Sequence, residues 1–133
     1  MLYGDNLYND VPMERVIVDS SSILFALSNK VDLFEKIAGR FPDLRACVPS
    51  GVVRELGEIA NGRRRESTHA RIGLEIIGKS GIEIIRSSGY VDDWIVKNSR
   101  KTDIVCTNDT ELRRRLKARG IIATSISRGG RLA

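Results

Sequence analysis

Residues 16–21 have the sequence Val-Ile-Val-Asp-Ser-Ser, in which three β-branched residues directly precede an acid and two hydroxyl side chains. An apolar run without alternation is typical of a strand buried on both faces. Such strands belong to parallel sheets that carry helices on both sides. Asp19 is therefore predicted at the carboxyl end of a central strand, the edge where open α/β sheets bind their ligands.

The rest of the chain alternates between short apolar runs and segments with helical spacing. Further strands are predicted at residues 46–48, 82–85, 104–106 and 121–123, and helices at about 23–27, 33–37, 50–61, 66–79, 91–99 and 108–119. This alternation predicts βαβ units and an α/β fold with a mainly parallel sheet. Residues 1–13 are polar and aperiodic and are predicted to be an N-terminal tail, followed by one domain over residues 14–133.

Local signals predict how three of these helices begin or pack. Ser50 is predicted as an N-cap, and Asn108 with Glu111 three residues later resembles a capping box. In the helix at 66–79, the residues Ile72, Ile76 and Ile77 are predicted to form the buried stripe.

Composition excludes several classes of protein. The 133 residues are 41% hydrophobic and 29% charged, an ordinary globular mixture for one domain. A single histidine, His69, and two cysteines argue against zinc sites, a Ser-His-Asp triad and a disulfide framework. Cys47 and Cys106 are predicted to be buried and reduced, which favours a cytoplasmic protein. There is no apolar run of about 20 residues and no signal-peptide pattern, so we expect no membrane span.

The charge balance points to a polyanionic partner without naming it. Twenty-two Lys and Arg residues against 17 Asp and Glu residues leave a net charge of +5. A functional carboxylate should lie just after a strand or in the first turns of the next helix, on its inward side. Asp19, Glu55, Asp92 and Asp109 meet this rule.

Each of these four acids also has a purely structural interpretation. Asp19 could be a helix N-cap, Glu55 could lie on a solvated helix face, and Asp92 and Asp109 could favour a helix dipole. Four carboxylates at one sheet edge would nevertheless repel one another unless cations neutralised them. Oxygen ligands without histidine or cysteine suit Mg²⁺ or Mn²⁺.

Five motifs, taken in order, resemble the PIN-domain nucleases over about residues 15–133. They are residues 16–21 (VIVDSS), 48–56 (VPSGVVREL), 91–96 (VDDWIV), 105–109 (VCTND) and 111–116 (ELRRRL). The last motif is similar to the archaeal and ribosomal-RNA-processing branch. The resemblance implies a three-layer α/β/α Rossmann-like PIN fold with about five parallel strands. It also implies cleavage of single-stranded RNA by metal-activated water, with Mg²⁺ or Mn²⁺ as cofactor.

The resemblance also implies roles for individual residues. Asp19, Glu55, Asp92 and Asp109 match the catalytic and metal-binding acids, and Asp93 is a further candidate ligand. Ser20, Ser21 and Thr107 match positions whose side chains support the ligands, although many members have Asn where Ser21 stands. Family members often form homodimers. They act as VapC-type toxins restrained by an antitoxin protein, or in RNA processing with a ribosome-assembly partner.

Basic clusters offer candidate RNA contacts. These are Arg63, Arg64 and Arg65 in one cluster and Arg113 with Arg114 in another, and a solvated surface explains either cluster equally well. Aromatic residues are only 5% of the chain, so extended base stacking is not expected. A non-catalytic RNA-binding or scaffold module with the same fold is the alternative function. A metal-dependent adhesion site is excluded because its Asp-x-Ser-x-Ser pattern would need serine at Ile23.

Overall fold

The computed structural model describes residues 13–133, in which strands and helices alternate along the chain. The strands are β1 (Arg15–Val18), β2 (Arg45–Pro49), β3 (Glu83–Ile85), β4 (Asp103–Cys106) and β5 (Ile122–Thr124). The helices are α1 (Ser20–Ser28), α2 (Leu33–Arg40), α3 (Ser50–Ala60), α4 (Arg65–Lys79), α5 (Val91–Asn98) and α6 (Thr110–Ala118). The predicted tail, apart from Met13, lies outside the described residues.

The five strands form one parallel sheet in the order β3-β2-β1-β4-β5. Ile17 of β1 pairs with Cys47 of β2 on one side and Val105 of β4 on the other. The helices α1 to α4 pack among themselves, and α5 packs against α6. This arrangement confirms the predicted three-layer α/β/α fold, and it places the switch point of the sheet between β1 and β4.

The centre of the core is the strand from which the prediction began. Val16, Ile17 and Val18 are fully buried, and so are Cys47 and Cys106 on the flanking strands. Both cysteines are free thiols, as predicted. Among residues 13–133, no helix combines the length and apolar character that crossing a membrane would require.

Two predicted helix caps are wrong, since tertiary contacts use their side chains elsewhere. Pro49, not Ser50, is the N-cap of α3, and the Ser50 hydroxyl accepts a hydrogen bond from the Ser87 backbone N–H at 2.9 Å. Asp109, not Asn108, caps α6 by accepting from the Leu112 backbone N–H at 3.0 Å. The Glu111 carboxylate pairs with Arg114 and does not accept from the Asn108 backbone N–H, as a capping box would require.

The predicted stripe on α4 is also partly wrong, because its buried face is made of small residues. Ile72 is 40% exposed, whereas Ser67, Ala70 and Gly73 are buried with Ile77. A Cβ on Gly73 would lie 3.0 Å from the Cγ2 of Ile23 on α1. The close approach of α1 to α4 therefore leaves no room for a large side chain there.

A buried ion pair stabilises the edge of the sheet opposite to the predicted acids. Asp103, fully buried at the start of β4, accepts from Arg15 Nε at 2.8 Å and from Arg15 Nη2 at 3.2 Å. It also accepts from the Arg100 backbone N–H at 2.7 Å. The carboxylate is thus paired on both oxygens, which is the condition under which a buried charge is tolerated.

Replacing Asp103 should destabilise the fold. We expect Asp103→Ala to lower the free energy of unfolding in urea by about 3 kcal/mol, because it leaves the Arg15 guanidinium unpaired. Glu83→Ala is the matched control: Glu83 pairs with Arg45 at 2.7 Å, but both side chains are exposed. That change should cost less than about 1 kcal/mol. An equal decrease in the free energy of unfolding in the two variants would contradict the claim that burial makes the Asp103–Arg15 pair the more stabilising of the two.

Candidate active site

The four predicted acids each follow a different strand of the sheet. Asp19 directly follows β1 as the N-cap residue of α1, and Asp109 follows β4 as the N-cap residue of α6. Glu55 lies in the second turn of α3, after β2, and Asp92 lies in the first turn of α5, after β3. All five strands are parallel, so these positions share the carboxyl edge of the sheet.

Asp19 is the most buried of the four, with 3% of its surface exposed. Its Oδ2 accepts hydrogen bonds from Ser21 Oγ at 2.6 Å and from Thr107 Oγ1 at 2.9 Å. The side chain accepts no hydrogen bond from a backbone N–H at the start of α1, although its backbone occupies the N-cap position. The Asp19 carboxylate therefore does not cap α1, which was the structural alternative for this residue.

The two hydroxyls that hold Asp19 also connect the loops that follow β1 and β4. Ser21 Oγ lies 3.1 Å from Thr107 Oγ1 and accepts from the Asn108 backbone N–H at 3.0 Å. Thr107 Oγ1 accepts from the Asp109 backbone N–H at 3.1 Å. One hydrogen-bonded group thus fixes Asp19 and the backbone that carries Asp109.

A third hydroxyl positions Glu55. The hydroxyl of Ser20, which is buried at the start of α1, donates to Glu55 Oε1 at 2.5 Å. This bond joins the first turn of α1 to the second turn of α3. Ser20, Ser21 and Thr107 all contact acids of the predicted set.

The electrostatics of Asp92 reveal how close the acids are to one another. Burial, followed by the charges of Asp19, Asp109 and Glu55, raises the pKa of Asp92 from 3.8 to about 6. The guanidinium of Arg115 opposes this rise. A carboxylate whose pKa is raised by three like charges lies close to those charges, and a cation bound among them would relieve the repulsion.

Asp93 stands apart from this cluster. Its side chain is 65% exposed, and its Oδ1 accepts from Arg115 Nη2 at 2.8 Å. The prediction of Asp93 as a further metal ligand therefore gains no support from its contacts, which are those of a surface salt bridge.

The donors at this edge fit a hard divalent cation. They are carboxylate oxygens, and the Cys106 thiol nearby has its pKa raised to about 11 by burial, so it stays protonated near neutral pH. Within residues 13–133, no three acid, histidine or cysteine side chains converge tightly enough to form a ready-made metal cage. Mg²⁺ is usually held by only one or two carboxylates and keeps several waters, so the four acids suit such an ion.

Sequence reasoning missed two residues that shape the site. Asn108 Oδ1 accepts from Ser22 Oγ at 2.7 Å and from the Ile126 backbone N–H at 3.1 Å, and its Nδ2 donates to the Ile126 carbonyl at 2.9 Å. It ties the segment after β5 to the site. Arg115 brings a cation next to Asp92. The position of an asparagine side chain between the end of a strand and an acid is the sequence signal that could have indicated a site role for Asn108.

The predicted basic residues fall in different environments. Arg63 and Arg64 are exposed just before α4, and Arg65 is exposed as its first residue. Of the three, Arg64 alone forms a salt bridge within the described chain, to Glu66 at 3.6 Å. Arg113 and Lys117 line a depression of about 390 Å³ beside α6 and β5, together with Arg114. The Arg113 Nε is buried and has no hydrogen-bond partner among the described residues.

Comparisons with known proteins agree on one family. A sequence model for the family described as "PIN like domain" matches residues 16–128. Ribonuclease VapC9 of Archaeoglobus fulgidus is 28% identical over 107 residues, covering 79% of this chain and 77% of that protein. The structure of the PIN domain endonuclease Utp24 matches with a TM-score of 0.72 and 30% identity, covering 88% of each chain.

A further solved structure supports the fold alone. A domain of a functionally unknown protein from Methanocaldococcus jannaschii matches with a TM-score of 0.61 at 23% identity. The match covers 85% of this chain and 91% of that one.

The raised pKa of Asp92 predicts a pH-dependent loss of stability when no metal is present. The folded chain holds this proton up to about pH 6, whereas the ordinary carboxyl releases it near 3.8. The contribution of Asp92 to stability is therefore greatest below the ordinary pKa and is lost as the pH rises through about 6. In chelator, we expect Asp92→Asn to raise Tm at pH 8 by about 2–8 °C.

The same comparison at low pH provides the check. Near pH 4, where wild-type Asp92 is protonated, the difference in Tm by circular dichroism should vanish. Asp43→Asn, at an exposed turn before β2, serves as the control and should change Tm little at either pH. A gain from Asp92→Asn that was equal at both pH values would contradict the electrostatic explanation.

Proposed function

This chain belongs to the family of PIN-like domains, and from that premise we propose that it is an endoribonuclease that hydrolyses single-stranded RNA with Mg²⁺ or Mn²⁺. The observation that carries the proposal is the placement of four carboxylates at the carboxyl edge of the sheet, where Asp19, Asp109 and Glu55 raise the pKa of Asp92. A ribonuclease and an endonuclease among the relatives support the same chemistry. The catalytic domain is proposed to span residues 14–133.

Within this proposal the four acids share the binding of the cation. Asp19, Asp92 and Asp109 would hold it, and Glu55 would complete the site. When bound, a divalent cation neutralises the carboxylates, polarises the scissile phosphate and lowers the pKa of water.

The hydroxyls prepare the acids for this role. The bonds from Ser21 and Thr107 occupy one oxygen of Asp19 and so fix the orientation of its carboxylate. Ser20 does the same for Glu55. Removing a hydrogen-bond partner of a metal ligand commonly lowers metal affinity or activity by about 10- to 100-fold.

Basic side chains next to the cluster would contact the RNA backbone. Arg113 and Lys117 lie on α6, the helix whose N-cap residue is Asp109, and line a depression beside β5. Arg63, Arg64 and Arg65 are a second candidate set, exposed at the start of α4. Guanidinium groups suit phosphate oxygens, and each such contact makes RNA binding more salt-dependent.

The same active site would serve either of two cellular roles. As a toxin, the protein would be restrained by an antitoxin protein; as an RNA-processing enzyme, it would act with a ribosome-assembly partner. A small antitoxin gene beside its own gene would favour the first role. In either role we propose a homodimer in the cytoplasm, which sedimentation and cell fractionation can test.

Replacing a central acid should abolish RNA cleavage without unfolding the chain. We expect Asp19→Asn and Asp109→Asn to lower the rate of RNA cleavage in Mn²⁺ or Mg²⁺ by at least about 100-fold, because each removes a charge that holds the cation. Cleavage of a labelled single-stranded RNA on a denaturing gel measures the effect, with circular dichroism confirming the fold.

Two controls make this test decisive. Asp43→Asn makes the same chemical change at an exposed turn and should cut at the wild-type rate. Chelation should stop wild-type cleavage, and added Mn²⁺ should restore it. Wild-type cleavage by a folded Asp19→Asn protein would refute the assignment, and the absence of any cleavage would favour the non-catalytic RNA-binding module.

The arginines of α6 should differ in their effect on RNA binding. Arg114 pairs with Glu111 on the exposed face, whereas Arg113 forms no salt bridge with residues 13–133. We therefore expect Arg113→Ala to reduce the salt dependence of RNA affinity, with the slope of log K against log salt falling by about 0.7. Arg114→Ala should change that slope less. Equal changes in filter-binding titrations would contradict the difference.

A further inference from the structure

One aromatic side chain, Tyr90, is exposed and lines a depression together with Glu55 of the carboxylate cluster. Tyr90 is 84% exposed, the largest exposed fraction among the large apolar and aromatic side chains of residues 13–133. It is the N-cap residue of α5, two positions before Asp92, and its side chain caps nothing. A single exposed ring is ordinary on a protein surface, so what Tyr90 can bind depends on the groups beside it.

Tyr90 borders a depression that leads away from the cluster along α5. Its volume is about 390 Å³, and the residues that line it are Ser88, Gly89, Tyr90, Asp93, Trp94, Lys97 and Asn98. Tyr90, Trp94 and Lys97 follow one another at helical intervals of four and three residues, which places them on one face of the helix. The half-buried Trp94 packs against the core, so the depression has a packed aromatic wall beside the exposed ring of Tyr90.

The charges around the depression favour an anionic group. Asp93, the acid in its lining, is already neutralised by Arg115 at 2.8 Å. Lys97 is exposed in the last turn of α5 and forms no salt bridge with residues 13–133. Lys97 is therefore available to a phosphate.

We propose that Tyr90, Trp94 and Lys97 form a subsite for one unpaired nucleotide of the RNA substrate, next to the carboxylate cluster. The base stacks on the Tyr90 ring against Trp94, and the Lys97 ammonium contacts the adjoining phosphate. The subsite rests on the proposed ribonuclease function. It selects single-stranded over paired RNA, because a paired base cannot leave its stack to reach an aromatic ring.

The composition of the lining favours a nucleotide over a protein partner. It contains two aromatic rings, a cation and small polar residues, but the described lining includes no aliphatic side chain. Protein interfaces commonly have a more apolar centre. A nucleotide instead needs a flat π-surface and a cation at the distance of a neighbouring phosphate.

The only tryptophan of the chain provides a direct measurement of this binding. We expect a ten-nucleotide single-stranded RNA, titrated in chelator to prevent cleavage, to quench the fluorescence of Trp94, and the same sequence in a duplex to quench it much less. A gel confirms that the RNA remains intact. Tyr90→Ala should weaken binding of the single strand by about 5- to 100-fold, whereas Tyr90→Phe should retain it. Lys97→Ala should lower the salt slope of binding by about 0.7.

Matched variants separate the subsite from general effects. Ile122→Ala removes another exposed side chain, at the β5 edge of the sheet, and should leave binding unchanged. Lys79→Ala removes a lysine before the amino end of β3, whereas Tyr90 and Lys97 lie beyond the carboxyl end of that strand. This variant should therefore leave the salt slope of RNA binding unchanged.

The possible outcomes distinguish this proposal from the proposed function. Suppose that the wild type cleaves RNA, that RNA does not quench its Trp94, and that Tyr90→Ala binds RNA as tightly as the wild type. These results would overturn the subsite and leave the nuclease intact. Quenching that depends on Tyr90 in a protein that cuts no RNA would support the subsite and overturn the nuclease. A change in oligomeric state on Tyr90→Ala without a change in RNA affinity would identify a protein contact and overturn the subsite.

Discussion

The burial of the Asp19 carboxylate at the end of the central strand is the constraint around which the rest of this molecule is arranged. A charge in that position is costly unless hydrogen bonds compensate it. Ser21 supplies one bond from the start of α1, and Thr107 supplies the other from the loop after β4. Thr107 also accepts from the Asp109 backbone N–H, and its neighbour Asn108 accepts from the Ile126 backbone N–H. The hydrogen bonds around the Asp19 carboxylate are therefore continuous with those that hold the segments after β1, β4 and β5.

The two edges of the sheet treat buried charge in opposite ways. At the amino edge, Asp103 is paired with Arg15 on both oxygens, which makes it a structural element. At the carboxyl edge, Asp92 faces three other acids with only partial relief from Arg115, and its pKa rises to about 6. Pairing stabilises the first edge, whereas the second keeps a repulsion that a cation can relieve. Such uncompensated electrostatics are characteristic of functional sites rather than of cores.

The errors of prediction in this chain have one physical origin. A hydroxyl or amide near a helix start satisfies the local rule for a cap, yet Ser50 bonds Ser87 and Asn108 bonds Ser22 and Ile126, all distant in sequence. The stripe predicted for α4 failed at Ile72, which is exposed, because the face of α4 that meets α1 is centred on Gly73, where there is room only for a small residue. Local patterns describe what a residue can do, and the approach of other elements selects which of those options it takes.

The sequence alone was sufficient for the five parallel strands, the order of the helices between them and the edge at which four acids would meet. Burial on both faces imposes continuous apolar runs, and parallel strands bring their carboxyl ends together, so both features can be inferred from pattern. Long-range contacts decided that Asn108 does not cap α6, that Asp93 pairs with Arg115, and that Tyr90 stays exposed in a depression with Trp94 and Lys97. These outcomes depend on which side chains meet across elements, and spacing along the chain carries no record of those distances.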